Sequence, residues 1–144
     1  MKKISILVAT LTLAGASAAA QAENVAMSFL TADGVGKSAG TISLKQTKAG
    51  LQLTPNLTGL PPGEHGFHVH EKGSCDPGMV NGQMAPGGAA GGHLDPHGTK
   101  AHKGPEATDG HTGDLPFIVV AANGTAKQAV VAPHLKLALS LIHI

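Results

Sequence analysis

Apolar residues recur at alternate positions in several short segments of the chain. They are Val25, Met27 and Phe29, then Ile42 and Leu44, then Leu51, Leu53 and Leu57. A period of two between Gly-rich turns is typical of β-strands, and no stretch shows a capped helical period. Further strands are predicted at 66–71, 115–121 and 126–131, and the last two flank Asn123-Gly124, a strong hairpin signal. The pattern predicts an all-β fold, an antiparallel sandwich or barrel.

The alternating pattern stops between residues 73 and 113, a segment dense in Gly and Pro. A loop of this length inside a compact domain is usually functional. Seven of the nine histidines lie between His65 and His111. Since the segment has few apolar side chains to bury, we expect a bound metal ion to order it.

Composition narrows the classes of protein that remain. The chain has 144 residues, 42% of them hydrophobic but only 2% aromatic and 13% charged, which fits one small-side-chain domain with a short extension. A coiled coil, a helical bundle and a charged disordered chain are excluded. All ten basic residues are Lys and the net charge is +1, so we expect no nucleic-acid partner.

The N-terminus resembles an export signal. Lys2 and Lys3 precede an apolar run at 4–13, and Ala20-Gln21-Ala22 is a small-x-small cleavage site. The run is short of the ~20 residues that span a bilayer, so no membrane partner is expected. We predict a signal peptide at 1–22, export to a bacterial periplasm and a folded domain at 23–138. The single cysteine, Cys75, is then a free thiol, an intermolecular bond or the remnant of a lost pair.

Histidines in the second half of the chain have the spacing of metal ligands. His68 and His70 are two residues apart in a predicted strand, so both imidazoles project from one face. Further histidines follow in the loop, and His111 and Asp114 together offer a mixed nitrogen and oxygen set suited to zinc. The sequence predicts a metal centre formed by this strand and the loop.

Four motifs in this order resemble the copper–zinc superoxide dismutases. They are HGFHVHE at 65–71, GGHLDP at 91–96, HKGP at 102–105 and GHTGDLP at 110–116. The AGGH and GDLP forms resemble the bacterial periplasmic branch. The resemblance implies a Greek-key antiparallel β-barrel or sandwich with long metal-binding loops, copper and zinc as cofactors, and conversion of superoxide to dioxygen and hydrogen peroxide. A homodimer is left open.

The resemblance also implies a role for each matching residue. The copper ligands would be His68, His70 and His93, and the zinc ligands His93, His102, His111 and Asp114, with His93 bridging the two ions. Cys75 matches a cysteine that the family joins to one in its last strand. His65 matches a structural position, where we expect a packing or hydrogen-bonding role, whereas His97 and His134 match no ligand and are expected in solvated loops.

The C-terminal end departs from the family. Beyond residue 138 the family continues through a fourth copper histidine, an active-site arginine and a second cysteine, and this chain has no arginine and no second cysteine. His143 resembles the fourth ligand only superficially. We interpret 139–144 as a non-native or frame-shifted tail on a truncated chain, with the last strand or strands missing or replaced. Two hypotheses stand: a superoxide dismutase, or an inactive copper- and zinc-binding module or metal carrier.

Overall fold

A computed structural model describes residues 22–140 of the chain. The predicted leader therefore lies almost wholly outside the described residues, as does His143, and the proposed boundaries at 22 and 138 stay predictions. Within the described range no helix has the length and apolar character needed to cross a membrane. The elements are β1 (Glu23–Thr31), β2 (Gly34–Thr47), β3 (Gly50–Leu57), β4 (Gly63–His65), β5 (Gly78–Val80), β6 (Gln83–Ala85), a 3₁₀ turn (Gly88–Ala90), β7 (Ile118–Val120), β8 (Val130–Ala132) and α1 (Leu137–Ser140).

The larger sheet has four antiparallel strands in the order β1-β2-β3-β8. Leu44 pairs with Leu53 in its centre, and alternation turns both side chains to the core, where neither is exposed to solvent. The predicted strands at 25–30, 41–46 and 51–57 are confirmed. The all-β antiparallel class is confirmed too, and the sheet is not closed into a barrel.

A second layer covers the buried face of this sheet. It contains the short antiparallel pair β4–β7, in which Glu64 lies opposite Val119. Ile118 and Val120 of β7 are buried in the same core as the leucines of the larger sheet. The layer also includes the extended segment that carries His68 and His70, so the hydrophobic core lies directly beneath these side chains.

Two predicted strand features are wrong in detail. The Asn123-Gly124 turn exists, with the Thr125 carbonyl accepting from the Ala121 amide at 2.8 Å, but its flanking strands do not pair with each other. Strand β7 pairs with β4, whereas β8 pairs with β3. The two strands therefore belong to different sheets. The predicted strand at 66–71 is an extended segment with isolated bridges only, at His68 and His70.

The predicted loop at 73–113 also contains a small hairpin, β5–β6, which the pattern did not predict. Its turn residues Asn81 and Gly82 have φ of 50° and 82°, as a two-residue hairpin turn requires. The Asn-Gly pair was a usable signal. The strands of three residues were missed because their apolar side chains, Met79 and Met84, are exposed and give no buried alternation.

Candidate metal centre

Three backbone segments meet at Val69 and position the candidate ligands. The Val69 amide donates to the Gly113 carbonyl at 2.9 Å, the Leu94 amide to the Val69 carbonyl at 2.8 Å, and the Gly113 amide to the Leu94 carbonyl at 2.9 Å. A Cβ on Gly113 would lie 2.3 Å from the Val69 oxygen, so only glycine allows this approach. Because Val69 is fully buried, the side chains of its neighbours His68 and His70 are directed away from the core.

One half of the centre converges on the Asp114 carboxylate. Its Oδ1 lies 2.9 Å from Nδ1 of His93, 2.9 Å from Nδ1 of His102 and 3.3 Å from Nδ1 of His111. The Nδ1 atoms of His93 and His102 are 3.3 Å apart. In a tetrahedral site with zinc–donor distances of ~2.0–2.1 Å, neighbouring donors are about 3.3 Å apart. The separations among His93, His102 and Asp114 fit zinc, and His111 lies within 3.3 Å of the same carboxylate oxygen.

Backbone amides hold the Asp114 side chain in this orientation. Its second oxygen, Oδ2, accepts hydrogen bonds from the amides of Lys103 at 3.1 Å and Gly104 at 3.2 Å. The residue is 2% exposed. Burial by itself raises the pKa of Asp114, but the His93 hydrogen bond and these amides outweigh it and lower the pKa. The carboxylate is therefore ionised and fixed from the side opposite the histidines, as a metal ligand requires.

The other half of the centre consists of His68 and His70 on two sides of His93. His68 stacks on the His93 ring with centroids 4.0 Å apart, and His70 meets it edge-on at 5.5 Å. Nδ1–H of His70 donates to the Gly91 carbonyl at 3.1 Å, which leaves Nε2 as the free acceptor. Nδ1 of His93 faces Asp114, so Nε2 is the ring nitrogen that remains for a second partner.

Two imidazoles of this centre, those of His68 and His93, favour their neutral form. Burial, together with the nearby His93 and His102 rings, lowers the pKa of His68 from 6.5 to about 4. Burial also lowers the pKa of His93, although the Asp114 carboxylate opposes that shift. Neutral imidazole is the form that binds metal ions. Ligand atoms of His68, His93, His102 and Asp114 lie within 4.8 Å of one another.

The structure thus brings together every ligand predicted within the described residues. The side chains are His68, His70, His93, His102, His111 and Asp114. His65 is a hydrogen-bonding residue as expected, with Nε2–H donating to the Pro61 carbonyl at 2.7 Å. His97 and His134 are exposed and outside the cluster, although His134 also donates to the Glu106 carbonyl at 3.2 Å.

An open cavity of about 570 Å³ adjoins the His68–His70 half. Its wall includes both histidines, the apolar side chains Met27 and Phe67, and the exposed thiol of Cys75, which has no disulfide partner. Lys72 also lines it, a cationic residue that sequence reasoning missed. The available signal was its position two residues after His70, although residues 71–72 form a bend in the structure.

These observations define the class of protein. It is an antiparallel β-protein with a histidine and aspartate cluster that could hold a metal ion. The model of the copper/zinc superoxide dismutase family (SODC) matches residues 38–143. The chain belongs to this family, whose metals are copper and zinc.

Individual relatives agree with this assignment. The chain is 52% identical over 136 residues to copper–zinc superoxide dismutase 2 of Salmonella typhimurium, covering 94% of this chain and 78% of the relative. For the Escherichia coli K12 enzyme the identity is 48% at the same coverage. The solved copper/zinc superoxide dismutase of Brucella abortus superposes with a TM-score of 0.78 at 47% identity, covering 82% of this chain and 77% of that one. The monomeric enzyme of Salmonella enterica gives 0.71 at 52% identity, covering 81% and 75%.

Proposed function

We propose that this chain is a superoxide dismutase, which converts superoxide to dioxygen and hydrogen peroxide. The copper ligands are His68, His70 and His93, and the zinc ligands are His93, His102, His111 and Asp114. The observation that carries the proposal is the placement of His93, whose Nδ1 faces the Asp114 carboxylate while its ring contacts both His68 and His70. One imidazole would therefore belong to the ligand sets of both zinc and copper.

Each side chain has a defined task in this reaction. When bound, copper supplies one-electron chemistry between Cu(II) and Cu(I), so that one superoxide is oxidised and the next reduced. His70 keeps its proton on Nδ1, where Gly91 accepts it, and presents Nε2 to the copper half. Asp114 and its amide donors fix the Nδ1 edge of His93. Nε2 of His93 would then be the nitrogen that takes up and releases a proton.

Lys72 supports the binding of an anionic substrate. The chain has no arginine, so lysine is the side chain that supplies a permanent positive charge at neutral pH. In the structure Lys72 lines the same open cavity as His68 and His70. A positive charge at the mouth of a cleft raises the local concentration of an anion and its association rate. Lys72 is therefore the cation that we assign to superoxide attraction.

Replacing Lys72 tests this electrostatic role. Lys72→Gln should slow superoxide decay by about two- to tenfold at low ionic strength, and added salt should shrink the difference between variant and parent. Lys127→Gln, an exposed change elsewhere on the surface, is the matched control. Equal rates for Lys72→Gln and the parent at low salt would remove Lys72 from the mechanism.

The activity itself is tested on mature protein loaded with both metals and freed of loose copper. We expect superoxide decay, followed by pulse radiolysis, to be accelerated by the parent chain and by His97→Ala, since His97 lies outside the cluster. His70→Ala should abolish the acceleration and lower copper content while keeping zinc. Acceleration that survives His70→Ala would contradict the assignment of the copper ligands.

A second candidate function is a copper- and zinc-binding module or metal carrier without turnover. It is favoured by the three imidazoles on the copper half of the described residues and by the absence of arginine from the sequence. The same experiment separates the two functions. Full binding of both metals without acceleration of superoxide decay would establish the carrier and reject the dismutase.

Export and assembly complete the proposal. The relatives are bacterial, and the leader at 1–22 supports the periplasm as the site of action; intact mass of periplasmic protein should then begin at Glu23. Phe117, directly before β7, and Val119, within it, are 61% and 51% exposed. They form an apolar face that a second copy could cover in a homodimer. Sedimentation of the parent and of Phe117→Ser tests this, and a monomeric parent would reject the dimer.

A further inference from the structure

We propose that Met79 and Met84 form a surface site for Cu(I), separate from the histidine cluster. The two methionines face each other on the β5–β6 hairpin, and neither belongs to the proposed copper or zinc ligands. The inference goes beyond the proposed function, and its test needs no dismutase activity. A chain without dismutase activity could still bind Cu(I) here, and an active one could fail to.

Hairpin geometry brings the two side chains close together. Asn81 and Gly82 form the two-residue turn, so Val80 and Gln83 are the pair that flanks it. In such a hairpin the flanking pair exchanges both hydrogen bonds, and the next pair, Met79 and Met84, is the non-hydrogen-bonded one. Side chains of a non-hydrogen-bonded pair approach most closely, with Cβ atoms about 4.5–5.5 Å apart.

Packing of the hairpin directs both thioethers to solvent. A Cβ on Gly78 would lie 2.4 Å from the Ala89 amide nitrogen, so the Gly78 face of the hairpin rests against the 3₁₀ turn. Alternation places Met79 and Met84 on the opposite face. Their exposures are 65% and 68%, unusual for side chains that could be buried. The pair is therefore accessible to an ion arriving from solution.

The chemistry of the pair selects a soft ion. Thioether sulfur prefers Cu(I) among biological metals, whereas hard or borderline ions prefer oxygen and nitrogen. With metal–sulfur distances of ~2.3 Å, as for zinc, two sulfurs on one ion are about 4.6 Å apart. Unbranched methionines at this Cβ separation can adopt that spacing. The group of His, Cys, Asp or Glu found within residues 22–140 contains no hairpin residue, so a zinc site is not predicted here.

The position of the hairpin relates this site to the copper half of the main centre. The 3₁₀ turn beneath the hairpin is followed by Gly91, whose carbonyl accepts the Nδ1 proton of His70. The amide of Lys72 also donates to Ala90 at the end of that turn, at 3.0 Å. A Cu(I) ion on the methionine pair would thus lie on the outer face of the hairpin, whose inner face packs against the segment that orients a proposed copper ligand. This position suits a site of first capture.

Silver(I) is the probe for a first test, because it is a redox-stable substitute for Cu(I). The protein is the mature chain with both metals bound and Cys75→Ser, so that neither the histidines nor the thiol compete. We expect the methyl NMR signals of Met79 and Met84 to shift together and to saturate at one ion per chain. Met27, which packs against the core, is the internal control and should not move.

Single variants and a Cu(I) titration complete the test. Met79→Leu and Met84→Leu should each weaken Ag(I) binding at least about tenfold, because the second sulfur acts at high effective concentration. Val80→Ala, on the other face of the hairpin, should leave Ag(I) binding unchanged. Titration with Cu(I) under anaerobic conditions should reproduce the methyl shifts that Ag(I) causes. The proposal would be overturned if the Met79 and Met84 methyl signals do not shift, or if they saturate independently of each other. It would also be overturned if either single variant binds Ag(I) as tightly as the parent. An unchanged Met27 signal shows that every variant remains folded.

Discussion

The four-stranded sheet and the segment at 66–114 are stabilised by different interactions. In the sheet, aliphatic side chains such as Ile42, Leu44 and Leu53 are fully buried and fix the register. In the segment of 66–114, the buried hydrophobic side chains are Phe67, Val69 and Leu94. Order there comes from hydrogen bonds to Asp114 and from close backbone approach at Gly113. The sheet is a hydrophobic scaffold, whereas the loops depend on one polar centre.

Removing Asp114 is expected to have the largest effect. In Asp114→Ala the Nδ1 atoms of three histidines and the amides of Lys103 and Gly104 lose their common acceptor. Loss of outer partners alone reduces metal affinity about 10–100-fold, so loss of a ligand should exceed about 100-fold, measured by competition with a chelator. Amide exchange should accelerate at 92–114 while the strands β2 and β3 stay protected.

Asp109→Ala is the matched control for this prediction. Asp109 lies in the same loop and pairs with Lys103, but it is exposed and outside the cluster. Zinc affinity should remain at the parent level. If Asp114→Ala also retains parental zinc affinity, Asp114 is not a zinc ligand, and the loops must be held by interactions other than the polar centre.

A smaller effect is expected from Gly113→Ala. The added Cβ would lie 2.3 Å from the Val69 carbonyl oxygen and 2.8 Å from the Leu94 amide nitrogen, both rigid backbone atoms. The segments must separate, and strain of this kind destabilises a protein by about 1–3 kcal/mol. Gly92→Ala is the matched control, because nothing lies within 4 Å of its Cβ position. Equal thermal midpoints for the two variants, by calorimetry, would contradict the role of this close approach.

Sequence patterns predicted the two regions to different extents. The alternation of apolar residues located β1, β2 and β3. Each strand buries one face, as Ile42 and Leu53 show, and this requires an apolar residue at every second position. The alternation gave strands near β7 and β8 but the wrong pairing for them, because a pattern of buried positions does not say which strand lies alongside. The histidine spacing and the family resemblance named all six clustered ligands. The Lys103 and Gly104 amides that hold Asp114 were not predictable, because any residue type supplies an amide.

The smallest effect is a pH dependence that belongs to the loops and not to the sheet. Unfolded histidine takes up its proton near pH ~6.5, whereas burial and the neighbouring rings lower the pKa of folded His68 to about 4. Between these values the unfolded state binds more protons, so the free energy of unfolding of metal-free protein falls as pH decreases. The lowered pKa of His93 acts in the same direction. Fully buried Ile42, Leu44, Leu51 and Leu53 of the sheet carry no titratable group.

Calorimetry is a suitable measurement, since the chain contains no Trp or Tyr to follow by fluorescence. The thermal midpoint of the metal-free chain should decline from pH 6.5 toward pH 4. His68→Gln cannot take up a proton and should decline less steeply, whereas exposed His97→Gln should follow the parent. A parent midpoint that is flat across this window would mean that the His68 pKa is not lowered, and the loops would then be no more sensitive to protons than the sheet.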